Sequence, residues 1–243
     1  KRTLHLSLAL GAVTLGLTAN AQRYLTEVFT NDQITITSDV VYGTNINFFE
    51  STLSSPDVPA EVVELQTAVQ TGNPIPAPYF DPDDASTSLK VIASMMDIYE
   101  PDQSVDTETA RPMVLYLHTG NAVPPPLNGS PNGLRTDSTA VEICKRMARR
   151  GYVAVSMSYR LGWNPFAATE QERRGQLLNA IYRAIQDTRQ CVRTHKEIAD
   201  GENTYAIDPD KIIVFGEGTG GYIALANATL DDAAKIYIPK FCP

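Results

Sequence analysis

The sequence predicts an α/β fold, in which a mostly parallel sheet is covered by helices on both faces. From Leu89 onward, short apolar runs alternate with longer segments whose apolar residues have helical spacing. The short runs are apolar at successive positions, which is typical of strands that are buried on both faces. Buried strands separated by helices indicate a parallel sheet in a layered α/β domain.

The strands and helices of this domain can be assigned in chain order. Four runs are strand-like: LKVIASMMDIYEP (89–101), PMVLYLH (112–118), GYVAVSMSY (151–159) and KIIVFG (211–216). Between the second and third runs, STAVEICKRMARR predicts a helix with Ser138 or Thr139 as its N-cap. Between the third and fourth runs, a longer helix is predicted near Arg173 to Lys196, with its apolar residues on one side.

The region from 22 to 88 is predicted to be an N-terminal extension, followed by the α/β domain from 89 to 243. Residues 33–48 alternate apolar and polar side chains in the manner of a strand, and VPAEVVELQTAVQ predicts an amphipathic helix. The stretch TGNPIPAPYFDPDDASTS (71–88) contains four prolines and is typical of a surface connection.

Both ends of the chain have a distinctive composition. Lys1 and Arg2 precede an apolar stretch from Leu6 to Leu17, and Ala19-Asn20-Ala21 then has the pattern of a signal-peptidase site. We therefore predict that residues 1–21 are a cleaved signal peptide and that the protein is secreted or periplasmic. The apolar stretch is shorter than the roughly 20 residues of a membrane-spanning helix. The chain stops within the apolar run KIYIPKFCP, which suggests a fragment.

Charge and cysteine content exclude several classes of function. The net charge of −8 and the pI of about 4.9 offer no basic surface for nucleic acid or for an anionic membrane. Cys144 and Cys191 have core-facing helical spacing and are predicted to be buried thiols. The three cysteines, including Cys242, show no zinc-ligand spacing, so no metal and no cofactor is predicted.

The richest motif is GEGTGG, which follows the last buried strand. Gly216, Gly218 and Gly221 match the GxGxxG dinucleotide fingerprint. Gly216, position 218 and Gly220 also match the frame of GxSxG, a nucleophile turn, with glycine in place of serine. The dinucleotide interpretation requires an acidic residue about 20 positions later, and the run KIYIPKF ends at Phe241 without one.

Three segments together resemble a known superfamily. PMVLYLHTGN, GYVAVSMSYRLG and AIDPDKIIVFGEGTGGY resemble the oxyanion-loop strand, the NYRLG strand and the GESAGG strand of the α/β hydrolases, in particular of the carboxylesterase and esterase/lipase branch. The resemblance extends over Leu89 to Pro243. It implies an α/β-hydrolase fold, truncated after the glycine turn, and a small-molecule ester or another pocket ligand as the partner.

The resemblance also implies roles for individual residues. Thr119, Gly120, Asn121 and Thr219 would supply the oxyanion hole, the group of N–H donors that stabilises an ester oxyanion. Gly216, Glu217, Gly220 and Gly221 would form the nucleophile elbow, the turn that presents the attacking side chain. Gly218 falls at the nucleophile position, which is therefore vacant.

The departure at Gly218 determines the functional prediction. Glycine relieves the strain of this turn but has no hydroxyl group. Thr219 lies one residue along and is expected to point away. His118 matches a structural histidine of the family, and His195 is expected at the surface or near a helix end, so neither the base nor the acid of a triad is assigned.

Three functions remain open at this stage. The sequence favours a non-catalytic binding module on the hydrolase fold over an impaired carboxylesterase, with a nucleotide-binding domain as a distant alternative. Fold-level resemblance supports the first two equally, because function depends on the site. The substrate and the oligomeric state are not determined by the sequence.

Overall fold

The computed structural model describes residues 23–47, 60–81, 83–87, 89–123 and 128–232. The predicted signal peptide (1–21) and the C-terminal apolar run that includes Cys242 lie outside these residues. Within the described part of the chain, no helix combines the length and the apolar character needed to cross a membrane.

The core of the fold is a five-stranded mixed sheet. Its strands are β1 (Ile34–Asn47), β2 (Lys90–Pro101), β3 (Arg111–Leu117), β4 (Val153–Met157) and β5 (Ile207–Gly216). They lie in the order β1-β2-β4-β3-β5. β3 pairs in parallel with β4 and with β5, whereas β2 is antiparallel to β1 and to β4. The α/β fold class is confirmed, and its parallel part consists of β3, β4 and β5.

In the described residues, four α-helices accompany the sheet: α1 (Ala60–Thr71), α2 (Ser138–Arg149), α3 (Glu170–Asp200) and α4 (Thr219–Thr229). Side chains along a strand alternate between the two faces of a sheet. On one face, Met113, Leu115 and Leu117 belong to the cluster that contains residues of α3 and α4. On the other face, Val114 and Tyr116 pack with residues of α2. The central strand is therefore covered on both sides.

The helix termini differ slightly from those predicted. The N-cap of α2 is Asp137 rather than Ser138 or Thr139, and its carboxylate accepts the backbone N–H groups of Gly133 at 2.6 Å and Leu134 at 3.0 Å. α3 begins at Glu170, several residues before the predicted start. A reciprocal pair of hydrogen bonds between Thr169 and Glu172 caps it, which is the capping box that the letters TEQE encode.

β1 lies within the range that we assigned to the N-terminal extension. It pairs with β2 from Ile34 opposite Pro101 to Asn47 opposite Lys90, with two irregularities in register. The strand therefore forms an edge of the same sheet. The proline-rich connection is also partly internal, because Tyr79 is buried in a small cluster with Leu65 and Leu89.

The amino end of β3 carries a buried ionic network. Arg111 is fully buried, and its guanidinium lies 2.5 Å from Glu100 and 3.7 Å from Asp106. It also donates to the backbone oxygen of Tyr205 at 2.9 Å. Arg23 donates to both carboxylate oxygens of Asp106, at 2.9 and 2.7 Å. Every buried charge at this end of the strand therefore has a partner of opposite sign.

Candidate active site

The turn between β5 and α4 has the backbone shape of a nucleophile elbow. β5 ends at Gly216, and the chain passes through Glu217 and Gly218 into the first residue of α4, Thr219. Gly218 has φ of 53° and ψ of −119°. A residue with a Cβ adopts this conformation only under strain, and such strain is typical of the position that presents a nucleophile.

Gly216 and Gly220, one on each side of position 218, allow close backbone packing. A Cβ on Gly216 would lie 2.5 Å from the carbonyl carbon of Gly220 and 2.7 Å from the oxygen of Leu117. A Cβ on Gly220 would lie only 2.0 Å from the Leu117 oxygen. These neighbours are main-chain atoms that cannot rotate away. The frame of the turn therefore requires glycine at both positions.

The side chain of Thr119 occupies the space beside Gly218. A Cβ on Gly218 would lie 2.2 Å from Oγ1 of Thr119 and 3.1 Å from its Cβ. Rotation of the threonine could move its hydroxyl, but the Cβ is fixed by the loop. The threonine that replaces a glycine after β3 thus fills the place where the elbow side chain would stand.

The loop after β3, residues 119–123, is held in a compact turn. Gly120, Asn121 and Ala122 all have positive φ, at 119°, 57° and 55°. The N–H of Val123 donates to the carbonyl of Gly120 at 3.0 Å, which closes the turn. Two further bonds anchor it: Trp163 Nε1 donates to the Asn121 oxygen at 2.8 Å, and Gly162 N donates to the Ala122 oxygen at 2.8 Å.

The predicted oxyanion donors are available to a ligand, because they make no hydrogen bond within the described residues. The backbone N–H groups of Gly120, Asn121 and Thr219 donate to no other residue in the described part of the chain. Thr219 is only 7% exposed, and its hydroxyl likewise has no hydrogen-bond partner among the described residues. The structure therefore leaves polar donors at the positions where the resemblance implies an oxyanion hole.

A cavity of about 540 Å³ adjoins these donors. Thr219 lines this cavity, so the expectation that it points away from the site is wrong. Asn121 also lines it, together with mainly apolar side chains, which include Trp163, Phe166, Leu177, Leu178, Ile181 and Tyr222. Its size and its composition, apolar walls with a few polar groups, are typical of small-molecule sites. Phe166 and Tyr222 are 83% and 72% exposed, so the apolar surface continues to the mouth of the cavity.

Glu217 belongs to the turn but does not line the cavity. It is exposed, and its carboxylate accepts the hydroxyl of Tyr116 at 3.3 Å. Burial, together with the nearby Glu217 carboxylate, raises the pKa of Tyr116 above its ordinary value. Glu217 therefore connects the turn to the face of the sheet that packs on α2. Gly221, the last predicted elbow residue, lies in the first turn of α4.

His118 follows β3 and is integrated into the core. Its ring stacks on Tyr159 at a centroid distance of 4.3 Å, and its Nδ1 lies 2.7 Å from the carbonyl oxygen of Thr119. The Tyr159 hydroxyl donates to the His118 backbone oxygen at 2.7 Å. Burial lowers the pKa of His118, so the ring is neutral near pH 7. Its contacts hold the start of the 119–123 loop.

His195 was expected near the surface or at a helix end, and this expectation is wrong. The residue is fully buried in α3, with Nδ1 2.8 Å from the backbone oxygen of Cys191. Burial lowers its pKa. The spacing of Ala184, Thr188, Cys191 and His195 places all four on one face of the helix, and this signal could have predicted the burial.

Neither thiols nor metal ligands form a further candidate site in the described residues. Cys144 and Cys191 are buried free thiols, as predicted, and burial raises the pKa of both. No cluster of histidine, cysteine, aspartate and glutamate side chains in the described ranges could hold a metal ion.

Sequence reasoning missed the walls of the cavity. Trp163 and Phe166 lie in the segment GWNPFAATE after β4, which carried no motif of its own. The available signal was the apolar content of a loop that directly follows a strand end, where ligands gather in α/β sheets. Leu177 and Leu178 are among the apolar residues that the sequence places on one side of the long helix, and Leu178 is 60% exposed and lines the cavity.

The dinucleotide alternative conflicts with the topology. In dinucleotide-binding folds the glycine-rich turn follows the first strand of a parallel sheet. Here the turn follows β5, the last described strand, and the sheet contains two antiparallel pairings. The position of the motif in the sheet therefore matches the elbow frame rather than the dinucleotide fingerprint.

Comparisons with known proteins give similarities at the level of structure. No protein-family model matches the chain, and no curated protein matches it. Solved structures similar to the chain include a thermophilic esterase of the Planctomycetes species Thermogutta terrifontis, at 20% identity and a TM-score of 0.40 over 61% of this chain and 41% of the esterase. The same species' esterase 2, phosphorylated by paraoxon, is similar at 19% identity and a TM-score of 0.41 over 67% and 48%.

A further similar structure is MGS-M1, an α/β hydrolase from a Medee basin deep-sea metagenome library. It is 21% identical, with a TM-score of 0.39 over 57% of this chain and 47% of that protein. This chain spans less than half the length of each of these proteins.

Proposed function

We propose that this chain is an exported protein of carboxylesterase-like α/β-hydrolase fold that binds a small apolar molecule and does not hydrolyse it at the elbow. The observation that carries the proposal is the contact between Gly218 and Thr119. Position 218 has no nucleophile, and the threonine fills the space that a nucleophile would need. Two positions 99 residues apart in sequence thus depart from the catalytic pattern in a mutually compatible way.

The cavity supports a binding role. Its walls present aromatic and aliphatic side chains, and the hydroxyl of Thr219 and the N–H groups of the loop supply donors at one end. Such a site fits a ligand with an apolar body and one carbonyl or carboxylate group, since the donors would pair with oxygen. An ester and the corresponding acid both have this form.

The first experiment tests whether the elbow is catalytic. We expect no covalent labelling by a serine-directed phosphonate and no saturable hydrolysis of p-nitrophenyl esters by the full-length protein. Stoichiometric labelling or saturable turnover would contradict the proposal and would indicate an esterase. The same assays on Gly218→Ser and on Gly218→Ser with Thr119→Gly ask whether the threonine blocks the site. We expect phosphonate labelling in the double variant only if an acid and a base complete the site.

The second experiment tests ligand binding. Trp163 is the single tryptophan of the chain and lines the cavity, so its fluorescence reports occupancy directly. We expect saturable fluorescence changes with alkyl esters and carboxylates, with affinity that increases with chain length.

The matched variants are Leu178→Glu and Leu225→Glu. Both leucines are exposed, at 60% and 64%, but only Leu178 lines the cavity. A charge at 178 should weaken binding of the longest carboxylate at least about tenfold, because it places a carboxylate against the apolar ligand. The change at 225 should have little effect. Equal effects of the two substitutions would exclude this cavity as the binding site.

A further inference from the structure

We infer that the chain has a second ligand site, a pocket for a small polyanion on the side of α3 that faces β1. This pocket, the arginine pocket, has a volume of about 380 Å³ and is lined by Asn45, Arg160, Gln186, Arg189, Gln190 and Arg193, among others. None of these residues lines the apolar cavity beside the elbow. The site is therefore separate from the one proposed above.

Three guanidinium groups share this pocket although the chain as a whole carries a net charge of −8. Arg160 is neutralised, because its guanidinium lies 2.8 Å from Asp187. Arg189 instead donates to neutral acceptors, the side-chain oxygen of Asn227 at 3.2 Å and the backbone oxygen of Leu230. Neither of these acceptors compensates its charge.

Arg193 is exposed and makes no hydrogen bond and no ion pair with any residue in the described ranges. Three arginines thus line the pocket, and among the described residues the ion pair that they make is that of Arg160 with Asp187. The uncompensated charges of Arg189 and Arg193 lie one helical turn apart on the same face of α3, so both can contact one ligand.

The remaining lining residues add directional polar groups. Asn45 donates to the side-chain oxygen of Gln190 at 2.8 Å, which fixes both amides at the edge of the pocket. Arg160 is held by Asp187, by the backbone oxygen of Ile46 at 3.2 Å and by the amide oxygen of Gln186 at 3.3 Å. A preformed rim with two guanidinium groups that form no ion pair is complementary to a ligand with two or more anionic groups, since guanidinium pairs bidentately with carboxylate and phosphate.

The class of ligand is therefore a small molecule with several carboxylate or phosphate groups. Citrate and inorganic phosphate serve as probes for the two chemistries, and acetate serves as the monoanion control. Calorimetric titration at low salt should give saturable binding of citrate or phosphate that is tighter than that of acetate. Whichever of the two probes binds more tightly identifies the preferred anionic group.

The decisive variant is Arg193→Gln, compared with Arg174→Gln. Both arginines lie on α3 and are exposed, and both changes remove one positive charge, but Arg174 is outside the pocket. Arg193→Gln should weaken binding of the preferred probe at least about tenfold, because it removes a charge-assisted contact. Arg174→Gln should change it less than about twofold, because its charge is distant and screened.

Three results would overturn the inference. They are the absence of saturable binding of either probe up to about 10 mM, equal effects of the two substitutions, and equal affinities for citrate, phosphate and acetate. Trp163 fluorescence distinguishes a failure of this inference from a failure of the binding proposed at the cavity beside the elbow. Citrate in the arginine pocket should leave the Trp163 fluorescence unchanged.

Discussion

The two ends of β3 carry polar groups in opposite states. At the amino end, Arg111 is fully buried and its charge is met by Glu100 and Asp106. At the carboxyl end, the loop that begins at Thr119 holds N–H groups that donate to no other described residue and that adjoin a cavity. Buried charges that are paired belong to the scaffold, whereas open donors beside a cavity mark a place where a ligand can bind. β3 therefore carries a stabilising ionic network at its amino end and adjoins a candidate ligand site at its carboxyl end.

The largest expected effect comes from breaking the amino-end network. Arg111→Leu leaves the buried carboxylate of Glu100 without its partner, while Asp106 keeps Arg23, and we expect the free energy of unfolding to fall by about 3–5 kcal/mol. Urea denaturation measures this. Arg146→Leu, which removes an exposed pair with Glu142 on α2, should cost less than about 1 kcal/mol. Similar losses in the two variants would mean that burial does not distinguish the pairs.

At the carboxyl end, the largest effect should come from the frame of the turn. Gly220→Ala places a Cβ 2.0 Å from the backbone oxygen of Leu117, and we expect a loss of about 3 kcal/mol in unfolding free energy. The neighbouring Gly221→Ala is the control, because its Cβ would meet only the Gly216 oxygen at 3.3 Å. Alanine also favours a helix over glycine by about 1 kcal/mol, so this variant should be nearly neutral. A neutral Gly220→Ala would contradict the close packing of the turn.

A smaller effect is expected at the centre of the same turn. Gly218→Ala combines a strained φ with contact to Thr119, and we expect a loss of about 2 kcal/mol. In the background of Thr119→Gly the same change should cost about 1 kcal/mol less, because the steric part is removed. A double-mutant cycle by urea denaturation measures this coupling. Additive effects would show that Thr119 does not restrict position 218.

The sequence predicted the strands and the turn because these depend on local patterns. Apolar runs identified β2 to β5, and glycine spacing placed a turn at Gly218 before α4. The contact of Thr119 with Gly218 depends on how two strand ends lie side by side, and no local pattern contains that information. The pairing of β1 with β2 was missed for the same reason, since alternation predicts a strand but not its neighbour.

Histidine burial gives the smallest and last prediction. His118 and His195 both have pKa values lowered by burial, so each is neutral when folded and takes up a proton near pH 6.5 when unfolded. Because the unfolded state binds more protons below this pH, stability must fall as the pH decreases. Between about pH 8 and pH 6 each histidine should contribute a loss of roughly 1 kcal/mol.

His118 lies at the carboxyl end of β3, and its contribution to the pH dependence of stability can be isolated with His118→Asn. The asparagine amide can donate to the Thr119 oxygen in place of Nδ1 but does not titrate. We expect urea denaturation of this variant to show about half of the histidine-dependent loss between pH 8 and pH 6. An unchanged pH dependence would mean that His118 stays neutral in the unfolded state or accepts its proton without cost in the folded one. Either result would contradict the view that the residue supporting the loop is held in its neutral form by burial.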